Sequence, residues 1–310
     1  MTIAADARPQ RSAWLTFADG TGILALDDFA AGYACLELDL GFPDVRDVVN
    51  NRPDQNGVDD RTSLVGSRVV TASMVAFGGT LNADQAVRLF APYLDPSIRP
   101  QLHYLVGDGI ERILTLRATK TASVLDSKPT RAFQLSWVAP DPTAYGGVVN
   151  TVTAWAGSST ASGRAYDLSF DRTYPTGGGT PVTGRIRPRG DLGVAPLLRI
   201  YGPITAPRVY FAIHPAAATQ VNAYVQFVTG FVLGVNEWVD VDTNAKTAYR
   251  QSDPTQSVFS SINFASTVWP VLPPNPTGAG IPYTDMSLLG SGAMSGTTQV
   301  QAMWRDAYLA

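Results

Sequence analysis

A single cysteine, Cys35, excludes an internal disulfide and argues against a thiolate metal site. Charge is scarce too. Asp, Glu, Lys and Arg make up 16% of the 310 residues, against about a quarter in an ordinary globular protein. That excludes an extended charged coiled coil, and a hydrophobic share of 45% argues against long disorder. Lysine is nearly missing: Lys120, Lys128 and Lys246 are the only three, and the other twenty of the 23 basic residues are arginines. With 26 acidic residues the formal charge is −3, so no basic field exists to hold a nucleic-acid backbone. The arginine bias fits bidentate pairing at interfaces or a GC-rich coding genome. The opening MTIAADARPQ lacks a basic start followed by an apolar stretch. No signal peptide is expected, and the protein is expected to begin in a cytoplasm. The longest apolar run, Tyr224 to Val235, is broken by Gln226 and Thr229. It is too short to cross a bilayer, so no membrane insertion is expected.

Turn formers are plentiful: Gly 28 and Pro 22 favour many short strands over long helices. The length suggests two domains. In YACLELDL, the alternation predicts Leu36, Leu38 and Leu40 on one face and Cys35, Glu37 and Asp39 on the other. Leu64 to Gly78 is a second β-rich stretch. Around Gly107-Asp108-Gly109 two strand-like runs read as a hairpin. TRAFQLSWV sets Phe133, Leu135 and Trp137 against Gln134 and Ser136. One segment differs. LNADQAVRLFAPYL offers Asn82 as a cap and Gln85 at the capping-box spacing. Ala86, Leu89, Phe90 and Tyr93 follow at helical intervals, and Pro92 should end or distort the helix. Residues 156 to 190 are rich in Gly, Pro, Ser and Thr and mark a loop-rich bridge. Beyond them LLRIYG, RVYFAI, AYVQFVTGFVLG, EWVDVD, TAYRQ and TTQVQAMWRDAYL read as strands of an antiparallel sandwich or jelly roll. The expected division is 1–142, an N-terminal domain; 143–190, the bridge; and 191–310, a C-terminal β-sandwich. The fold class is all-β with one short helix.

Enzyme motifs fail in turn. No lysine follows a glycine, so there is no P-loop, and GGGTPVTG lacks the dinucleotide spacing. His103 sits in a strand and His214 before Pro215, with no GxSxG or HExxH partner. Glu37 with Asp39, and Asp240 with Asp242, are pairs that could serve glycoside hydrolysis if they faced a cleft. The same spacing is that of a solvated strand face, which is the reading adopted. Asp242 also opens the turn DTNAKT. NNRPDQNGVDD imitates a calcium loop, but counting from Gly57 puts Arg52 at the first ligand position and Ser63 at the bidentate one. It is a polar excursion between strands. Of Trp14, Trp137, Trp155, Trp238, Trp269 and Trp304, most are expected in the core and one exposed. No catalytic, cofactor-binding or metal residue is assigned, and no hydrolase activity is expected.

The order of motifs resembles a family. SLVGSRVVTASMVAFG, a helix and LSWVAPDPTAYG look like the N-terminal domain of siphophage distal tail proteins. GRAYDLSFDRTYP, GDLGVAPLLRIYGPITAPRVYF, LGVNEWVDVDTNAKTAY, WPVLPPNPTG and TTQVQAMWRDAYL are similar to their C-terminal domain. The resemblance implies a structural virion protein, six copies of which form a ring at the distal end of a long non-contractile tail. It implies a β-sandwich N-terminal domain that builds the ring and a galectin-like sandwich projecting from it. Since residues 1 to about 142 hold their own alternating strands, capped helix and hairpin, they are expected to suffice for the ring. The implied partners are further copies of the chain, the major tail tube protein, the tape-measure protein and the tail-tip hub, with host-surface carbohydrate a candidate. The channel should lack a dense arginine lining, since DNA passes through it. The composition suggests an actinobacterial host. Two rival readings are a carbohydrate-binding module or adhesin acting through the second sandwich, and a β-sandwich glycoside hydrolase.

Overall fold

The computed structural model describes residues 13–46, 49–51, 58–60, 64–78, 81–127, 130–156, 183–215, 220–277, 280, 282–291, 294 and 296–309. It groups the chain into two units, Met1–Gly147 with Tyr308–Ala310, and Val148–Ala307. Among the described residues the strand pairings are antiparallel in every sheet from Ala13 to Trp304, and there is one α-helix. The chain is therefore all-β with one short helix.

The first unit carries β1 (Ala13–Thr16), β2 (Leu24–Ala25), β3 (Tyr33–Asp39), β4 (Val45–Arg46), β5 (Val49–Asn51), β6 (Val58–Asp60), β7 (Leu64–Val65) and β8 (Arg68–Ala76). Helix α1 (Ala83–Leu89) follows, then β9 (Gln101–Leu105), β10 (Glu111–Thr115), β11 (Arg117–Ser127), β12 (Thr130–Ala139) and β13 (Ala144–Gly146). The second unit carries β14 (Asn150–Trp155), β15 (Gly184–Ile186), β16 (Leu197–Tyr201), β17 (Ile204–His214), β18 (Val221–Gln226), β19 (Val232–Leu233), β20 (Trp238–Asp242), β21 (Thr247–Arg250), β22 (Tyr283–Ser291) and β23 (Gln299–Trp304). The last strand is β24 (Ala307–Tyr308).

Two sheets build the first unit, in the orders β2-β1-β9-β10-β13-β24 and β11-β12-β8-β3. The alternation in TRAFQLSWV does what a half-buried strand requires. Phe133, Leu135 and Trp137 are buried while Gln134 is exposed. The Trp137 indole N–H, buried with the ring, donates to the Tyr93 carbonyl at 3.0 Å. That bond ties the 3-10 turn Ala91–Leu94 to the core. Helix α1 has the full capping box. Asn82 accepts from the Gln85 N–H at 2.9 Å, and the Gln85 side chain accepts from the Asn82 N–H at 3.1 Å. The α-helix ends at Leu89, and Pro92 opens the 3-10 turn instead. Ala86, Phe90 and Tyr93 are buried as the spacing predicts, but Leu89 is exposed. β9 and β10 form the expected hairpin, with Gly109 at φ 75°. Strand β3 departs from its alternation. A bulge between Cys35 and Glu37 resets the register, and Leu36 is 70% exposed. Strands β4 with β7 and β5 with β6 pair as one hairpin-like excursion. The calcium-like residues Arg52, Gly57 and Ser63 lie outside the described residues.

The second unit is a sandwich of two sheets, β14-β23-β16-β20-β21 and β15-β22-β17-β18, with β19 on β17. Its inner faces meet through Leu198, Ile200, Val239, Val241, Val300 and Ala302 from one sheet, and Val209, Phe211, Val225, Met286 and Leu288 from the other. The stretch expected as a bridge, 143–190, carries β13, β14 and β15 where it is described, and β14 and β15 belong to the sandwich. Asn150 to Trp155 pairs residue by residue with β23. Residues 157–182 lie outside the described residues. β22, in the middle of its sheet, was not among the expected strands.

Candidate functional site

The chemistry-bearing residues fall into four places. In the first unit, neighbouring strands β1, β9 and β10 bring Thr16, His103 and Glu111 together by diagonal contacts on one sheet face. His103 Nδ1 lies 2.6 Å from Glu111 Oε1, and its Nε2 lies 3.0 Å from Thr16 Oγ1. This is the hydroxyl–imidazole–carboxylate order of a nucleophilic triad. Accessibility decides against that use. Thr16 is buried, and the Trp14 indole lies stacked on the imidazole, centroids 5.2 Å apart. The Thr16 hydroxyl is therefore not open to solvent, and the three side chains link β1, β9 and β10. The sequence placed His103 in a strand correctly. Its partners, far away along the chain, were not legible.

A shallow depression of about 170 Å³ is lined by Leu26, Asp27, Cys35, Leu36, Glu37 and Leu38 among others. Burial and the nearby Asp27 carboxylate push the Cys35 thiol up to about 11. Cys35 is therefore a protonated, unreactive thiol at neutral pH. Glu37 and Asp39 are exposed on this edge strand, as a solvated face demands.

In the second unit the acidic pair is split. Asp242 accepts from the N–H groups of Asn244 and Ala245 at 2.9 and 2.8 Å and organises the turn after β20, as its position in the sequence suggested. Asp240 points to the outer face of its sheet but is covered there rather than solvated. It is buried, with Arg199 donating bidentately at 2.6 and 2.9 Å and Ser252 Oγ donating at 2.5 Å. The hydrogen bonds to Asp240 raise the Arg199 pKa further. Both carboxylates are thus committed to structural contacts, which removes this pair from the glycoside-hydrolase reading. His214 stacks on Tyr283 with ring centroids 4.4 Å apart, and the Arg185 guanidinium, paired to Asp285, lies 4.3 Å from the same Tyr283 centroid.

The tryptophans are less buried than expected. Only Trp137 and Trp304 are in the core; Trp14, Trp238 and Trp269 are partly exposed and Trp155 is exposed.

The fourth place is the edge of the first unit's four-stranded sheet. β3 is its end strand, with Leu36 outward. Phe42 just beyond is 85% exposed, and Val69 at the start of β8 is exposed. Phe29 and Phe77, both exposed, lie ring to ring at 6.1 Å. On the central strands the outward side chains are Val69, Thr71, Ser73 and Val75 from β8, and Ala132, Gln134, Ser136 and Val138 from β12. None of these eight carries a charge. The end strand β3 thus combines exposed apolar side chains with the exposed carboxylates of Glu37 and Asp39. Among the described residues no helix is long and apolar enough to cross a membrane.

No family model and no curated protein matches the chain. Solved structures do. The Dit protein (gp 19.1) of phage SPP1, described as a hub of the adsorption apparatus of phages infecting Gram-positive bacteria, aligns with TM-score 0.60 at 14% identity, over 95% of this chain and 98% of that one. Two structures of the phage p2 baseplate in its activated conformation align more distantly. The strontium form gives 0.44 at 13% identity and the calcium form 0.45 at 14%, each over 94% of this chain and 97% of that one. The alignment with the SPP1 protein establishes the fold: over 95% of its length this chain is built as that Dit protein is.

Proposed function

We propose that this chain is a structural component of a phage tail tip rather than an enzyme. In this reading, six copies form a ring at the distal end of a long non-contractile tail, joining the tail tube to the tail-tip hub. The observation that carries the reading is the shared fold with the SPP1 protein over 95% of the chain. The first unit builds the ring, and the exposed side chains of Leu36, Phe42 and Val69 at the β3 end of its four-stranded sheet are the surface a neighbouring copy covers. Burying each such side chain contributes about 1.5–3 kcal/mol against the entropic cost of association, so these three act as anchors within a larger contact. The outward side chains of β8 and β12 carry no charge, and the flanking strands set exposed Arg117 opposite Val138 and exposed Glu37 and Asp39 opposite Ser73 and Thr71. This face therefore carries no dense arginine lining to retain a phosphate backbone, as suits a channel that passes DNA. Further partners are the tail tube, tape-measure and hub proteins, and the location is the virion tail after a cytoplasmic phase. The host is left open by the arginine bias. Because β13 and Tyr308 belong to the first unit, with the Arg112 guanidinium 4.2 Å from the Tyr308 ring centroid, the ring-building part extends beyond residue 142.

The test pairs the full chain with Leu36→Lys and Phe42→Asp variants in negative-stain imaging. Rings from the full chain and dispersed, folded protein from the variants support the reading. Rings that survive both substitutions would place the subunit contact elsewhere, and the absence of rings from the unaltered chain would remove the reading's basis.

A further inference from the structure

One face of the second unit is built differently from a plain solvated sheet. Strands β14, β23, β16 and β20 lie side by side, and their register sets Trp155, Gln299, Tyr201 and Trp238 in one row across the outer face. The next row, two residues along each strand, is Thr153, Gln301, Arg199 and Asp240. Trp155 is 39% exposed, and Tyr201, Trp238, Gln299, Gln301 and Arg199 are all partly exposed. The groups hold one another in place. Tyr201 and Trp238 have ring centroids 6.3 Å apart, and the Arg199 guanidinium lies 5.7 Å from the Trp238 centroid. The Trp238 indole N–H reaches Ser252 Oγ at 3.4 Å, and the Tyr201 hydroxyl donates to Gln301 Oε1 at 3.3 Å.

We propose that this face binds a neutral oligosaccharide. The chemistry is specific in three respects. Trp155, Tyr201 and Trp238 offer ring faces to the C–H faces of pyranoses, and two of them are braced so that little order is lost on binding. Gln299, Gln301, Arg199 and Tyr201 supply planar donors and acceptors beside the rings, the match for ring hydroxyls. The one cation in the rows is already paired with the one anion, so the face has no net charge to prefer a phosphate or a carboxylate. The row crosses three inter-strand gaps, about 14 Å, which calls for several sugar units rather than one. A second copy of the chain is the alternative occupant. Against it, the amides of Gln299 and Gln301 interrupt the aromatic groups, so no continuous apolar patch forms. The proposal is independent of ring formation by the first unit.

The experiment titrates the full chain with maltotetraose, cellotetraose, chitotetraose and a β-galactotetraose, following tryptophan fluorescence and saturation-transfer NMR. At least one is expected to bind saturably with Kd of about 1 mM or tighter. Trp238→Ala and Trp155→Ala should each weaken it about tenfold or more, and Trp238→Phe less than either. Unchanged melting temperature marks the variants as folded; Gln299→Ala, an outward change, serves if Trp238→Ala does not fold. No saturable binding of any of the four by the folded protein overturns the proposal, as does binding that these substitutions leave unchanged. Loss of self-association on Trp238→Ala or Trp155→Ala assigns the face to a second copy and overturns it equally. Ring formation is read separately by native mass, so failure here and failure of the tail-tip reading are distinguishable.

Discussion

Replacing Asp240 by alanine should destabilise the second unit by about 2 kcal/mol. The figure follows from where the pair lies between two limits. Removing one partner of a fully buried ion pair costs about 3–5 kcal/mol, because the other charge is stranded. An exposed pair is worth about 0–1 kcal/mol. Asp240 is buried, but the Arg199 side chain is 30% exposed and can turn to water once its partner is gone. The loss is therefore two charge-assisted hydrogen bonds and the one from Ser252, less the rehydration of the guanidinium. Differential scanning calorimetry of the full chain, which separates the units if they unfold apart, should show the second unit's transition about 4–8 °C lower. Asp240→Asn keeps an acceptor and should cost about half as much. Arg199→Ala should cost at least as much as Asp240→Ala, since it strands the more buried partner. The double variant should fall short of the sum of the singles by about 1.5 kcal/mol. Additivity within about 0.3 kcal/mol would refute the coupling, and a loss below about 0.5 kcal/mol on Asp240→Ala would return the residue to a solvated face.

Three other outcomes are expected. Asn82→Ala removes the helix cap and half of the capping box, and should lower stability by about 1 kcal/mol in urea unfolding; no change would mean that the 3-10 turn and Trp137 alone hold the segment. Cys35, with its thiol pushed up to about 11, holds more than about a hundredfold less thiolate at pH 8 than a free cysteine. Ellman's reagent should therefore label it slowly in buffer and rapidly in denaturant, and equal rates would contradict the burial. Gly41 has φ 59°, and a Cβ there would strike the Val69 carbonyl; Gly41→Ala should cost about 2 kcal/mol or more, measured by thermal unfolding, and a neutral result would mean the β3 end is free to shift.

Local signals in the sequence carried a good deal of this fold. Asn82 with Gln85, Gly107-Asp108-Gly109 and the inward Phe133, Leu135 and Trp137 each act through neighbours in sequence, and each appears in the structure where the pattern put it. Leu36 was misjudged because alternation assumes an unbroken register, and nothing in YACLELDL announces the bulge beside it. β22 escaped notice among Gly, Pro and Ser, although Thr284, Met286 and Leu288 alternate inward. β14 was absorbed into the bridge for the same reason: NTVTAW buries only Ala154 fully, and its pairing with β23 lies far along the chain. The site residues were harder still. Period two correctly put Asp240 and Asp242 on one side of β20, but it cannot say that Arg199 stands opposite Asp240. Nor can it say that Trp155, Tyr201 and Trp238 share a row, because that depends on the strand order β14-β23-β16-β20.

The central claim is that copies of this chain close into a ring through the first unit, and native mass spectrometry of the purified full chain tests it most directly. The account predicts a discrete species of six chains, retained when residues 148–307 are replaced by a short linker that keeps Tyr308 attached to the first unit. A full chain that stays monomeric at every accessible concentration would contradict it.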